Sequence, residues 1–174
     1  MLKEIRWHGR GGQGSFTGAK LLGTAASLHD DRFAQAFPSF GPERRGAPVL
    51  GFNRISDRPI TDRSEIGLCD FIIFLDDTLW SDRYFGDLKK DALILINTAD
   101  KNLSDARIRT IDATGLALEI LGLPIANTAM LGALAALSRE TVSYNALVEA
   151  LKSSLKTSVL EKNLILLEKA YERF

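Results

Sequence analysis

One cysteine, Cys69, and two histidines, His8 and His29, are all that 174 residues contain of either type. An intrachain disulfide is therefore impossible, and a four-thiolate zinc or iron–sulfur site cannot be assembled from this chain. Cys69 sits beside an apolar run and reads as a small buried side chain. Any redox chemistry involving the chain must pass electrons through groups that it does not itself ligate. Excess charge is missing too. Lys+Arg and Asp+Glu balance at 22 each, which removes a nonspecific pull towards nucleic acid or an acidic membrane. No apolar run approaches the roughly 20 residues that would span a bilayer. Glycine-rich turns interrupt the opening residues where a signal peptide would carry its apolar region, so a cytoplasmic location is expected. What remains is ordinary for a globular chain, 45% hydrophobic and 25% charged. The length suits one domain, residues 1–174, with a full core.

Short apolar runs alternate with longer helical patterns, the signature of an α/β domain. Ile5-Arg6-Trp7 opens a strand, and a helix is expected over residues 14–28, with Phe16, Ala19, Leu22 and Ala26 as its apolar stripe. Strands are expected at Phe33–Phe37 and over VLGFNRIS, residues 49–56. Residues 71–75 and 92–96 are apolar on both faces and read as buried central strands, ending at Asp76 and Asn97. A weaker strand, Ile108–Ile111, ends at Asp112. A helix over residues 114–121 stops at Gly122 with Pro124 beyond. The remainder is helical, with Asn127, Ser143 and a Ser158…Glu161 capping box as candidate starts. Leu160, Leu164, Leu167, Tyr171 and Phe174 share one face of the last helix. The expected fold is a Rossmann-like three-layer sandwich, with a mostly parallel central sheet and a helical C-terminal part.

Trp7-His8-Gly9-Arg10-Gly11-Gly12-Gln13-Gly14 follows the first strand, and its glycines 9, 11 and 14 match G-x-G-x-x-G. Such a turn lets backbone N–H groups approach a ligand, and the helix behind it carries partial positive charge, so an anion such as a phosphate is the expected guest. A nicotinamide dinucleotide would further require an acid at the end of the second strand. Asp30 and Asp31 come before that strand and Glu43 lies well beyond it. Arg10 and Gln13 also put large polar groups where such sites keep small ones. The dinucleotide reading is disfavoured, and a tight turn with no ligand remains open.

Phe40-Gly41-Pro42-Glu43-Arg44-Arg45-Gly46-Ala47-Pro48 packs adjacent arginines, an acid, glycines and prolines into one short stretch. Proline and glycine make it shaped rather than floppy. An arginine pair can grip phosphate or carboxylate bidentately, or form ion pairs across an interface. Phe37 and Phe40 argue against a merely solvated loop. Glu43 reads as the partner of one arginine rather than a general base. No catalytic residue is assigned. His8, with no nucleophile or acid arranged beside it in sequence, reads as a structural hydrogen-bonding group. Arg10 and Asp76 are possible site residues, with a strand-end cap as the plain alternative for Asp76 and Asp77. Asn127 is a helix cap first and a site-edge residue second.

RWHGRGGQG followed by AQAFPSFGPERRGAPV, then FIIFLDDTL, NTAMLGALA and EKNLILLEKAYE, resembles the gamma subunit of pyruvate and related 2-oxoacid:ferredoxin (or flavodoxin) oxidoreductases. The resemblance covers nearly the whole chain; Phe16-Thr17-Gly18 departs from it where smaller or β-branched residues are usual. It implies an enzyme that decarboxylates a 2-oxoacid on thiamine diphosphate, transfers the acyl group to coenzyme A and passes electrons through iron–sulfur clusters to ferredoxin or flavodoxin. It further implies alpha, beta and delta-type partner subunits. The chain lacks cluster thiolates and a Gly-Asp-Gly…Asn segment, so thiamine diphosphate, magnesium and the clusters are expected on those partners. The isolated chain is expected to be inactive, with no metal of its own. Coenzyme A binding is what the resemblance implies for Gly11, Gly12, Gln13, Gly14 and for Phe40, Gly41, Pro42, Glu43, Arg44, Arg45 and Gly46, which could equally face a partner. A free-standing NAD-binding oxidoreductase and a non-catalytic nucleotide-binding regulatory module stand as the alternatives.

Overall fold

A computed structural model describes residues 1–39, 46–100 and 102–174. Six strands form one sheet: β1 (Leu2–Arg10), β2 (Phe33–Pro38), β3 (Pro48–Ser56), β4 (Cys69–Phe74), β5 (Leu88–Asn97) and β6 (Ile108–Ile111). Their order is β2-β3-β1-β4-β5-β6. β1, β4, β5 and β6 pair in parallel, whereas β3 runs antiparallel to both β1 and β2. The sheet is thus mostly parallel, with one reversed strand inserted beside β1.

Alternation along the strands separates two cores. Ile5 and Trp7 of β1, Phe71 and Ile73 of β4, and Leu95 of β5 face the helices. Those helices are α1 (Ser15–His29), α2 (Ala113–Leu121), α3 (Asn127–Leu137), α4 (Tyr144–Ser154) and α5 (Thr157–Tyr171). Phe52, Ile72, Phe74, Ile94 and Ile96 face the other way. There, two short 3-10 turns, Asp77–Leu79 and Asp82–Asp87, form the third layer. Trp7 shows how one buried polar contact fixes register. Its Nε1 donates to Asn53 Oδ1 at 2.9 Å, and Asn53 Nδ2 donates to the Ala19 carbonyl at 2.7 Å. That chain of bonds ties β1, β3 and α1 together inside the core.

Several expected details shift. Phe16 is 42% exposed, while Ala19, Leu22 and Ala26 are fully buried. The helix lies so close to the sheet that a Cβ at Gly18 would approach the Trp7 ring to 3.0 Å, and the large Phe16 turns outward instead. Asn127 is not the cap of α3. Ala126 is already helical at φ −83° and ψ −12°, so Asn127 is the first residue of the helix. The Ser158…Glu161 capping box does not form either, because the extended chain ends at Lys156 and α5 begins at Thr157 with no side-chain cap. Phe174 leaves the apolar face of α5 and is 46% exposed. Ser143 does cap α4, its hydroxyl accepting the Ala146 N–H at 3.1 Å. Gly122 ends α2 in the left-handed region at φ 73°.

Candidate functional site

The glycine turn lies at the carboxyl ends of β1 and β4, where parallel sheets deliver functional groups. Two features shape it. Gly12 and Gly14 have φ of 96° and 84°, a region that side-chain-bearing residues rarely adopt. Gln13, between them, and Arg10, before them, are both held by hydrogen bonds. Gln13 Oε1 accepts the Arg10 N–H at 2.7 Å, and its Nε2 donates to Asp76 Oδ2 at 2.9 Å. Arg10 Nε donates to the same oxygen at 3.1 Å, while its Nη2 reaches Thr78 Oγ1 at 2.9 Å. Asp76 thus holds the turn from the far side of the sheet edge, and its other oxygen caps the following turn through the Thr78 N–H at 3.0 Å. Burial alone would raise the Asp76 carboxyl. The hydrogen bonds from Thr78 and Gln13, with the Arg10 charge, more than reverse this and hold it below the usual carboxylate range.

With Arg10 and Gln13 so engaged, the turn presents backbone. Among the described residues, Gly12 and Gly14 N–H have no hydrogen-bond partner. α1 has no side-chain cap and no acid in its first turn. Ser15, its first residue, is buried with an Oγ that no described residue satisfies. Asn127 reaches this place from α3. A Cβ on Gly14 would lie 2.7 Å from Asn127 Nδ2, and the other end of that amide accepts the Thr128 N–H at 2.8 Å. Uncapped donors, an orphan hydroxyl and a helix N-terminus together suit an anion.

The second motif joins the first through the reversed strand. Arg10 of β1 pairs with Pro48 of β3, Gly11 N–H donates to the Ala47 carbonyl at 2.9 Å, and Arg10 Nη1 reaches the Gly46 carbonyl at 3.3 Å. Gly46 is at φ 80°. Phe40, Gly41, Pro42, Glu43, Arg44 and Arg45 lie outside the described residues; the chain leaves at Ser39 and returns at Gly46, beside the turn. The strand order also answers the dinucleotide question. The position next to β1 that would supply a ribose-binding acid at a strand's carboxyl end is occupied by the beginning of β3, at Pro48.

His8 faces the opposite side of the sheet from Trp7. Its ring stacks on Phe74 at 4.5 Å and meets Tyr84 edge-on at 4.8 Å. Arg6 Nε, which can only donate, bonds Nε2 at 3.0 Å, placing the ring proton on Nδ1. Burial, joined by the charges of Arg6 and Arg83, pushes the imidazole down to about 3. The unfolded chain takes up a proton near pH 6.5 and the folded chain does not, so His8 costs stability as pH falls through this window. Unfolding free energy should drop by about 2 kcal/mol between pH 7 and pH 5. His8→Gln should flatten that slope in denaturant titrations at the two pH values, and an unchanged slope refutes the assignment. Cys69 is buried with its thiol pushed up to about 12 by desolvation, hence protonated and inert.

The sequence did not single out Arg6, Thr78, Trp80, Arg83 and Tyr84. They line, with His8, a cleft of about 630 Å³ beside the turn. The signal lay in DDTLWSDRYF, where aromatics and an arginine crowd the segment after β4. Asp77 has a packing role: it accepts the Thr98 hydroxyl at 2.6 Å, tying the ends of β4 and β5. Among the described residues no three metal-ligating side chains cluster, and no helix is long and apolar enough to cross a membrane.

Comparison with known proteins agrees with this geometry. The sequence pattern of the family described as pyruvate ferredoxin/flavodoxin oxidoreductase matches residues 4–173. The chain is 48% identical over 170 residues to pyruvate synthase subunit PorC of Methanocaldococcus jannaschii, covering 97% of this chain and 94% of that one. It is 41% identical to the pyruvate/ketoisovalerate oxidoreductases common subunit gamma of Pyrococcus furiosus, covering 98% and 96%. Among solved structures, pyruvate oxidoreductase subunit PORC of Thermotoga maritima superposes with a TM-score of 0.84 at 34% identity, covering 98% and 96%. A 2-oxoglutarate:ferredoxin oxidoreductase from Magnetococcus marinus, solved with 2-oxoglutarate, coenzyme A and succinyl-CoA bound, shares the fold alone. It matches at TM-score 0.80 and 19% identity, with this chain covering 31% of it. The chain belongs to the pyruvate ferredoxin/flavodoxin oxidoreductase family, as a gamma-type subunit.

Proposed function

We propose that this subunit serves an oxidoreductase that converts pyruvate and coenzyme A to acetyl-CoA and carbon dioxide, delivering the electrons to ferredoxin or flavodoxin. Its own part is to bind coenzyme A and to dock on alpha, beta and delta-type partners that carry thiamine diphosphate, magnesium and the iron–sulfur clusters. Thiamine diphosphate supplies the carbanion chemistry on the partner side; this chain binds and orients. The supporting observation is the turn Gly11–Gly14. Arg10, Gln13 and Asp76 hold it, and among the described residues the Gly12 and Gly14 N–H groups and the uncapped α1 N-terminus have no partner, which suits a phosphate of the coenzyme. Relatives that are named pyruvate synthase subunits favour pyruvate as the 2-oxoacid.

Arg44 and Arg45 enter this reading as contacts to a coenzyme phosphate, as they immediately precede Gly46, whose carbonyl meets Arg10 of the turn. The experiment is kinetic, on the assembled enzyme. Arg44→Ala with Arg45→Ala should raise KM for coenzyme A at least tenfold and leave KM for pyruvate in place. An assembly defect with unchanged coenzyme A kinetics assigns the pair to subunit docking instead. Gly12→Val probes the turn itself. Among the described residues a Cβ there meets nothing within 4 Å, so the folding cost is that of a strained φ, about 1 kcal/mol. Coenzyme A kinetics should therefore suffer more than thermal stability; a loss confined to stability overturns a ligand-facing role.

A further inference from the structure

The cleft beside the turn has a chemistry of its own. One wall is the end of the sheet, with His8 and Arg6 of β1 and Pro48, Val49 and Leu50 of β3. The other is the segment after β4, which brings Thr78, Trp80, Arg83 and Tyr84. Its volume of about 630 Å³ suits a small-molecule group rather than a single water or ion. Trp80 and Tyr84 lie nearly parallel, 28° between planes and 6.4 Å between centres, and both pack on Phe74 beneath. Aromatic surface of this kind is a stacking platform for a flat heterocycle.

The charge pattern narrows the class of guest. Among the described residues, the lining contains two guanidinium groups, Arg6 and Arg83, and no carboxylate. Arg6 is committed, bonded to His8, Asp87 and the Gly67 carbonyl. Arg83 lies over the Tyr84 ring at 4.7 Å with its charge open to solvent. His8 adds a neutral donor: Nε2 is taken by Arg6, and Nδ1–H has no partner among the described residues. An apolar side chain of a partner subunit would leave that donor and the hydroxyls of Ser39 and Ser81 without partners at the moment of burial. A purine offers both a flat face and ring nitrogens that accept. The cleft is also contiguous with the turn. Thr78 lines it on one side, and on the other its hydroxyl takes the Arg10 bond that holds the glycines.

From this, and resting on the coenzyme A reading above, we infer that the cleft between β1, β3 and Thr78–Tyr84 seats the adenine of the coenzyme, with Trp80 as its platform, Tyr84 packed beside Trp80 under the Arg6 and Arg83 guanidiniums, and Arg83 beside its phosphates. The diphosphate then crosses Thr78 to the glycine turn. The test compares coenzyme A with 4′-phosphopantetheine, which lacks the nucleotide, as acyl acceptors for the assembled enzyme. Removing the stacking ring with Trp80→Ala should raise the ratio of the coenzyme A KM to the phosphopantetheine KM about tenfold. Arg83→Ala, at an exposed position with little folding cost, should move the same ratio in the same direction. Adenosine 3′,5′-bisphosphate should compete with coenzyme A, and more weakly in both variants. If the ratio and the competition stay as in the parent enzyme while Gly12→Val still raises the coenzyme A KM, the adenine seat is wrong and the coenzyme reading stands. If neither set of variants affects coenzyme A, both readings fall.

Discussion

Replacing Gly132 by alanine is expected to destabilise the protein by about 3 kcal/mol, against the sign that helix propensity predicts. Glycine inside a helix normally costs about 1 kcal/mol relative to alanine, so the substitution should stabilise α3 if nothing else were nearby. Something is nearby. A Cβ at Gly132 would lie 2.4 Å from the Leu167 carbonyl oxygen and 3.2 Å from Ala170 Cβ, because α3 and α5 cross backbone to backbone at this point. The obstacle is main chain rather than the end of a flexible side chain, and it cannot step aside alone. Leu131, Ala133, Leu134, Leu166, Leu167 and Ala170 around it are all fully buried. Relief requires the two helices to separate and lose packing on both sides. The measurement is the urea midpoint of the subunit, with the slope of the transition unchanged. A midpoint that rises would mean the crossing is looser than described.

That crossing also explains part of what the sequence displays. NTAMLGALA is one of the stretches that carry the family resemblance, and its glycine and alanines serve the approach of α5. Asn127 is the residue of that stretch that reaches the glycine turn. Local signals read well because they act within a few residues. The doubly apolar runs became β4 and β5, Gly122 closed α2, and Ser143 capped α4. Direction did not read. Alternation is the same for a parallel and an antiparallel strand, and β3 follows a connection longer than the two to five residues that signal a hairpin. Hence the reversed strand beside β1, which separates this sheet from a dinucleotide-binding one, was invisible in the pattern. Long-range polar partners were equally hidden. Arg10 and Asp76 are 66 residues apart, and Arg54, 1% exposed near the end of β3, gains its partners Glu4 and Ser64 only through pairing of β1 and folding of the following loop.

Asp76 is where the missed and the legible parts meet, and its removal should have the largest effect on function. In Asp76→Ala, Arg10 Nε and Gln13 Nε2 lose a common acceptor, and Thr78 loses the bonds that start its turn. The glycines keep their sequence but not their fixed course. A displacement of about 1 Å in groups that position a substrate costs on the order of a hundredfold in rate, so kcat/KM for coenzyme A in the assembled enzyme should fall by roughly that factor. The fold should survive, because the lost contacts lie at the rim of the sheet and cost on the order of 2 kcal/mol. Asp76→Asn is a sharper probe. It keeps the shape and one acceptor, yet directs an amide donor towards two other donors or leaves Thr78 unbonded, and should recover little. The decisive comparison is the double variant with Arg10→Ala. If the pair acts as one device, removing both is hardly worse than removing Asp76 alone; independent, additive losses would mean that the carboxylate works without Arg10. The pH dependence follows from the direction of the shift. A carboxyl held below its ordinary range keeps its charge above the unfolded value near 3.9, and its contribution fades only as pH falls through the lower folded value. The turn should therefore remain fixed from pH 5 upward, where any acid-side loss of coenzyme A affinity must come from a group other than Asp76.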